Sequence, residues 1–440
     1  MKNRILLPLI FCFGLVLNAK SQELLTLEQA IATGLKNNFS ILLSKNNLEV
    51  AKNDYTSGNA GLLPVVTATG SYVNTTSNTH QEYYDGRVKD ATNAGSYTMN
   101  TGVAMNWTVF DGMAMFNEHS RLKENELNSE SRLKNEVENT VAQITVAYYG
   151  IVQQNKLLDV MREAVGFSTE RKQLMQHKFR LGGASELDYL QAVVDLNADS
   201  VSLIQETTNL SKAMAELNYL IGLNPDAHYM VEDTVVSAPL PVYEELIKPV
   251  SDLNTSIDIA RRNARMAEYN LRITKSIQYP AVNLTAAYNF SKSHTQVGIV
   301  ETNRNFGPNF GLNFSYTLFD GFNNSRKIKN ARIEQLNTEI QLNETIAGVK
   351  SQLYKLFTEY SSYRVLIRIE ETNVQTARHN TSVAFEKYRL GELNDLDFRQ
   401  IQLKQLEAEN RLLQSRYQLK VFETELLRIS GGLIKEDVEM

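Results

Sequence analysis

From Phe310 to Leu318 the chain alternates strictly: Phe310, Leu312, Phe314, Tyr316 and Leu318 on one side, Asn313, Ser315 and Thr317 on the other. A period of two is that of a strand with one apolar and one polar face. It stops at Asp320-Gly321, after which about 65 residues read as helix. Asp320 can accept from the free amides of the first helical turn, and Gly321 lets the chain change direction. The same corner stands earlier in the chain: Asn106–Gly112 reads N-W-T-V-F-D-G, and Ser315–Gly321 reads S-Y-T-L-F-D-G. Asp111 and Asp320 are 209 residues apart, and so are K-F-R-L-G at 178–182 and K-Y-R-L-G at 387–391. Two matches at one offset indicate a tandem duplication of about 200 residues.

In the first copy a helix runs from Leu25 to about Gly58, with Thr26 as its cap. A weaker strand follows at Val65–Val73, then a long polar loop over 74–97, then a strand at Met99–Phe110 with Val103, Met105, Trp107 and Val109 on one face. In the second copy Ser256–Ile277 is helical, and Val282, Leu284, Ala286, Tyr288 and Phe290 form a second alternating face ahead of a polar loop at 292–307. Each half therefore predicts one hairpin of strands about ten residues long, enough to cross a bilayer when tilted. The helices that follow carry a seven-residue repeat at Ile346, Leu353, Tyr360, Ile367 and at Val349, Leu356, Tyr363. Val137, Ile144, Ile151 and Leu158 lie 209 residues before the first set. This is coiled-coil spacing. The return helices repeat it at Leu187, Val194, Val201 and at Leu190, Ile204. Gly182 and Gly391 suit the left-handed position that ends a helix, and Ser185 and Asn394 suit the cap of the next.

The predicted organisation is a signal segment at 1–21, a first repeat at 22–222 (hairpin about 64–110, helical hairpin about 113–222), a proline-containing linker at 223–255 with a short helix at Tyr243–Ile247, a second repeat at 256–431 (hairpin about 281–319, helical hairpin about 323–430), and a polar tail at 432–440. The signal is a basic start, the apolar run Ile5–Leu17 and a small polar exit, too short to span a membrane as a helix. The only cysteine, Cys12, lies inside it, leaving no disulfide or thiol chemistry for the mature chain.

At 42% hydrophobic, 22% charged and net charge −5, the composition is that of a folded protein with no electrostatic case for nucleic-acid binding. The six histidines lie far apart, without metal-ligand spacing, and no nucleophile or phosphate-loop motif occurs, so neither an enzyme, a metal site nor a cofactor is expected. Four amphipathic strands cannot close a barrel, since about eight is the smallest number observed, and an open edge in lipid leaves backbone groups unpaired. Strands in a membrane therefore require several chains to share one barrel.

The signal, the opening L-T-L-E-Q-A-I at 25–31, Leu62-Leu63-Pro64, the doubled F-D-G corner and the doubled R-L-G turn resemble the TolC-like outer-membrane efflux proteins over residues 25–431. The resemblance implies a fold that is mainly α with membrane β: long coiled-coil hairpins building an α-barrel, and four strands per chain contributing to a twelve-stranded barrel shared by a homotrimer. It implies an outer-membrane duct with a periplasmic extension, docked on a periplasmic adaptor and an inner-membrane pump. An exit duct for type I protein secretion shares the fold, and a periplasmic coiled-coil adaptor is a further alternative.

The resemblance also implies roles for single residues. The adaptor would meet the turns at Arg180, Leu181, Gly182, Arg389, Leu390 and Gly391. A closing latch would join Asp188 to Tyr388 and to an arginine, whose position holds Leu393 here. The pore ring of two aspartates would fall at Asp397 and Gln400, so only the first carboxylate is present. Trp107, Tyr288, Phe310, Leu312, Phe314 and Tyr316 would face lipid.

Overall fold

The computed structural model describes residues 24–232 and 242–433. The signal segment with Cys12, the linker prolines Pro239 and Pro241, and tail residues 434–440 lie outside the described residues. The elements run β1 (Leu24–Leu25), α1 (Leu27–Asn37), α2 (Phe39–Asp54), β2 (Val65–Glu82), β3 (Val88–Phe110), α3 (Ala114–Arg180), α4 (Glu186–Ile221), β4 (Met230–Val231), α5 (Tyr243–Ile247), α6 (Val250–Leu253), α7 (Thr255–Ser276), β5 (Ala281–Thr295), β6 (Thr302–Ser315), α8 (Asn323–Leu390) and α9 (Asp395–Ser430). The order β-hairpin then helical hairpin occurs twice, as the repeated motifs predict. α3 and α8 are unbroken helices of 67 and 68 residues.

Two compact units are assembled from alternating segments. The described parts of Met1–Asn38, Thr140–Leu240 and Thr358–Glu425 form one, and those of Phe39–Asn139, Pro241–Phe357 and Leu426–Met440 form the other. The second holds a four-stranded antiparallel sheet in the order β2-β3-β5-β6. The first holds the helical tips and the parallel pair β1–β4, in which Leu24 faces Met230 and Leu25 faces Val231. There Tyr148 donates its hydroxyl to the Leu25 carbonyl at 2.9 Å and accepts from the Glu232 amide at 3.0 Å. Ala30, Ile144, Ile151, Leu217 and Ile221 pack around it as the core.

Several elements differ from expectation. The first helix is two, broken at Asn38, whose backbone turns extended and whose side-chain amide donates to the Leu220 carbonyl at 2.8 Å. Thr26 does cap α1, in a reciprocal box with Gln29. The polar stretches 74–97 and 292–307 are mostly strand: the hairpins turn only at 83–87 and 296–301, and the strands are 14 to 23 residues long rather than about ten. The ladder is made by backbone groups that Thr, Ser and Asn carry as apolar residues do, so their polarity here marks exposure and not a loop. β6 ends at Ser315, short of the alternation at Tyr316 and Leu318, because its partner begins at Ala281, directly after Pro280, which has no amide to donate. A bulge between Thr108 and Phe110 takes Val109 out of the Trp107 face and puts Phe110 opposite Val282.

The seam of α3 is buried throughout and that of α8 in part, with Ile346, Val349, Leu356, Tyr363 and Ile367 only half-buried. Val137, Ile144, Ile151, Leu158, Leu353 and Tyr360 are buried. On α4 the expected seam does not face its own chain: Leu187, Leu190, Val194, Val201 and Ile204 are between 49% and 73% exposed. The intrachain face of α4 is instead built on Ala192, Asp199, Leu217, Asn218 and Ile221, with Asp195 and Asp199 each paired to an arginine.

Candidate functional site

The sheet sorts its side chains by chemistry across all four strands. Reading partners across the ladder, Val66, Ala68 and Tyr72 share a face with Met99, Val103, Met105 and Trp107, with Leu284, Ala286, Tyr288 and Phe290, and with Phe310, Leu312 and Phe314. The opposite face carries Thr67, Thr69, Ser71, Asn100, Asn106, Asn283, Thr285, Asn289, Asn309 and Asn313. Among the described residues no element covers the apolar face, and Phe310, Leu312 and Phe314 are largely exposed. Such a sheet suits lipid on one side and water on the other. The Trp107 indole donates to the Leu62 carbonyl at 3.0 Å, holding an amphipathic ring at one end of the apolar band. Tyr316 lies beyond the end of β6.

The two corners are built alike. Asp111 accepts from the Met115 amide at 2.9 Å, and Asp320 from the Asn324 amide at 2.7 Å. Each aspartate therefore reaches across the turn to the second residue of the helix, and does not sit at the cap position itself. Between carboxylate and helix the chain passes through two successive left-handed residues: Gly112 (φ 71°) and Met113 (φ 73°), then Gly321 (φ 67°) and Phe322 (φ 65°). A non-glycine residue there is strained. Its recurrence at the same offset makes the corner a built feature of both repeats.

The tips also match each other. Gly182 (φ 76°) donates to the Phe179 carbonyl at 3.0 Å and Gly183 to Lys178 at 2.7 Å. Gly391 (φ 82°) donates to Tyr388 at 3.2 Å and Glu392 to Lys387 at 2.9 Å. Both are the paired backbone bonds that end a helix at a left-handed glycine. Leu181 and Leu390 stand 86% and 74% exposed beside them. Arg180 is exposed, and Arg389 reaches back only to Glu386, at 3.3 Å on the surface.

The expected latch has different partners. Asp188 accepts from the Ser185 hydroxyl at 2.7 Å and amide at 3.0 Å as part of the α4 cap, and those bonds hold its carboxyl below the usual range. Tyr388 donates to Asp395 at 2.8 Å, not to Asp188. Burial, and then the bond to Asp395, push its hydroxyl pKa well up. Asp395 is also gripped by Arg171, through Nε at 2.9 Å and Nη2 at 2.7 Å, and Nη2 reaches Asp195 at 2.7 Å. Arg171 is fully buried. Burial lowers the guanidinium's pKa, but the bonds to Asp395 and Asp195 outweigh it and the net shift is upward. One turn further along, Arg399 binds Asp199 bidentately at 2.7 and 2.8 Å, and Ser168 donates to the same carboxylate. Helices α3, α4 and α9 are thus tied near their tips by ion pairs, and α8 joins them through the Tyr388 hydrogen bond; of these residues sequence reasoning named only Tyr388. Asp397 binds the Asn394 side chain at 2.8 Å and remains exposed with Gln400, one turn along the same face of α9.

The comparisons with known proteins fit this geometry. The outer membrane efflux protein family model matches residues 30–223 and 246–432, one segment for each repeat. The chain belongs to that family, whose members are outer-membrane channels and not enzymes. The alkaline protease secretion protein AprF of Pseudomonas aeruginosa is 21% identical over 436 residues, covering 95% of this chain and 88% of that protein. The outer membrane efflux protein BepC of Brucella suis is 18% identical, covering 97% and 89%. Among solved structures, the CmeC outer membrane channel of Campylobacter jejuni superposes with a TM-score of 0.77 at 15% identity, covering 94% of this chain and 87% of that one. The periplasmic adaptor alternative falls away, since the match to outer-membrane channel proteins runs through both hairpins and both coils.

Proposed function

We propose that the chain is one of three that together form a passive duct from the periplasm to the exterior. In this reading three sheets close into one twelve-stranded barrel, and the coils continue it as a tube. The tips carrying Arg180, Leu181, Gly182, Arg389, Leu390 and Gly391 dock on a periplasmic adaptor joined to an inner-membrane pump. The observation that carries it is the sheet: one predominantly apolar face, one predominantly polar face, and two long edges, β2 and β6, with no partner strand among the described residues. In hydrocarbon such edges are too costly to leave open. Docking of the tips on an adaptor is supported by three leucines, Leu181, Leu390 and Leu396, exposed at the two turns.

The test is the mass of the mature protein extracted from outer membranes in mild detergent. Three chains per particle is the expected result; a stable monomer overturns the shared barrel. A second reading, an exit duct for secreted proteins, is favoured by the likeness to a protease secretion protein along nearly the whole chain. Deleting the gene separates them: loss of secreted polypeptides supports the second, and increased sensitivity to small toxic compounds supports efflux.

A further inference from the structure

We infer that the free edges of the sheet meet in one defined register, β6 of one chain antiparallel to β2 of a second copy, with Tyr316 opposite Ala68, Phe314 opposite Gly70 and Leu312 opposite Tyr72. The inference rests on the shared-barrel reading and deepens it. Its basis is the duplication. The corners place the second strand of each hairpin 209 residues apart (Asp111 and Asp320), and Pro64 and Pro280 place the first strands 216 apart. The two hairpins test this correspondence. Val65 faces Asn106 in the first, and the shifted pair, Ala281 and Ser315, face each other in the second. The two repeats are therefore paired in the same register, residue for residue.

The chain contains one junction between repeats, β3 with β5. A closed sheet of several copies needs the complementary junction, β6 with β2 of the next copy, joining the same kinds of strand. Trp107 faces Leu284, Met105 faces Ala286 and Val103 faces Tyr288 at the existing junction. Shifted by the two offsets, these pairs become Tyr316–Ala68, Phe314–Gly70 and Leu312–Tyr72. The shift is fixed by the corner aspartates and the prolines, without reference to the side chains of the strands, yet it puts apolar face against apolar face; a register wrong by one residue would put Phe314 on the polar side. It also extends β6. Tyr316 has no partner in its own chain, since β6 stops where β5 begins, and Ala68 of a second copy supplies one. The sequence alternation through Tyr316 then has a structural use. Phe110 faces Val282 beyond the bulge, and by the same shift Phe319 meets Val66, both exposed in the single chain. Finally, Gly70 leaves a gap over which the Phe314 ring can lie, an arrangement that compensates a glycine in a strand.

Disulfide trapping tests the register, in a Cys12→Ser background that removes the only native thiol. The double variants Asn313→Cys/Ser71→Cys and Phe314→Cys/Gly70→Cys sample both kinds of antiparallel pair, only one of which has the closer side chains. Outer membranes carrying them are oxidised and run on denaturing gels without reductant. The expected result is that at least one double variant moves mostly to covalent oligomers, while its single-cysteine parents stay at one chain. Asn313→Cys/Thr69→Cys and Asn313→Cys/Val73→Cys, displaced by two residues either way, should link several-fold less. Preferential linking of a displaced pair overturns the register. So does failure of every pair in a preparation whose detergent mass is three chains. A detergent mass of one chain overturns the shared barrel itself, a result the gel alone would not give.

Discussion

At the scale of single residues, the best-supported assignments are those the duplication states twice. The tip glycines and corner aspartates were legible because each is a local signal, a backbone angle or a short-range cap, repeated at one offset. The Arg171 cluster was not. Its partners Asp195 and Asp395 lie on two other helices, and at the 209-residue offset Arg171 corresponds to Asn380 and Asp195 to Lys404, so the repeat conceals it. Substituting Arg171→Ala leaves the largely buried Asp395 without a counter-charge and Asp195 with only Arg399, at 4.0 Å, which costs about 3–5 kcal/mol. Tyr388→Phe removes one bond to Asp395 and costs about 1–2 kcal/mol. Protease sensitivity of the tip turns should rise strongly in the first and mildly in the second; equal resistance to wild type in both would show that the cluster does not hold the tips. The corners give a contrast of their own. A side chain at Gly112 would stand 2.5 Å from the Ser276 carbonyl and 2.8 Å from Tyr279 Cβ, whereas at Gly321 nothing lies closer than the Asn323 side chain at 3.9 Å. Gly321→Ala then costs only the left-handed backbone, about 1–2 kcal/mol, and Gly112→Ala costs clearly more. The heat resistance of the assembled protein on gels should fall in that order.

At the scale of elements, period decided what could be read. Helices α3 and α8 announce themselves through a seam sustained over many turns, and their buried positions follow it. The hairpins are longer than their apolar alternation implies, because beyond the apolar band both faces of a strand are polar. The break at Asn38 rests on one long-range bond to Leu220 that no local pattern encodes. The α4 stripe is the instructive case: its heptad spacing is real, but the residues with that spacing point away from their own chain. A helix stripe of Leu187, Leu190, Val194, Val201 and Ile204 left in water would be a liability, and in the proposed shared barrel a second copy would cover it. Val194→Glu combined with Val201→Glu should leave the helix content of the chain unchanged, since neither side chain is packed within it. It should shift the extracted protein from oligomer to monomer. An unaltered oligomer mass would show that the stripe is not a contact between copies.

At the scale of the whole molecule, the proposed trimer would complete groups that one chain only presents. Asp397 is the sharpest instance. It sits in the first turn of α9 with Asp395, but the two carboxylates have separate fates: Asp395 is consumed by Arg171 and Tyr388, while Asp397 stays exposed with only the Asn394 amide as partner. The second aspartate that the family resemblance implies is Gln400 here. Three chains would therefore contribute three carboxylates where two rings would contribute six. A single ring still favours cations, because like charges converging on a narrow opening raise the local cation concentration. Its hold weakens as salt shortens the screening length to about 10 Å at 0.1 M. Asp397→Asn should lower the cation preference of the reconstituted duct, read as a smaller reversal potential across a salt gradient, with the larger difference from wild type at low salt. Gln400→Asp should do the opposite by restoring a second ring. If neither substitution moves the reversal potential while the oligomer mass is unchanged, Asp397 does not line the passage, and its carboxylate serves only the cap of α9.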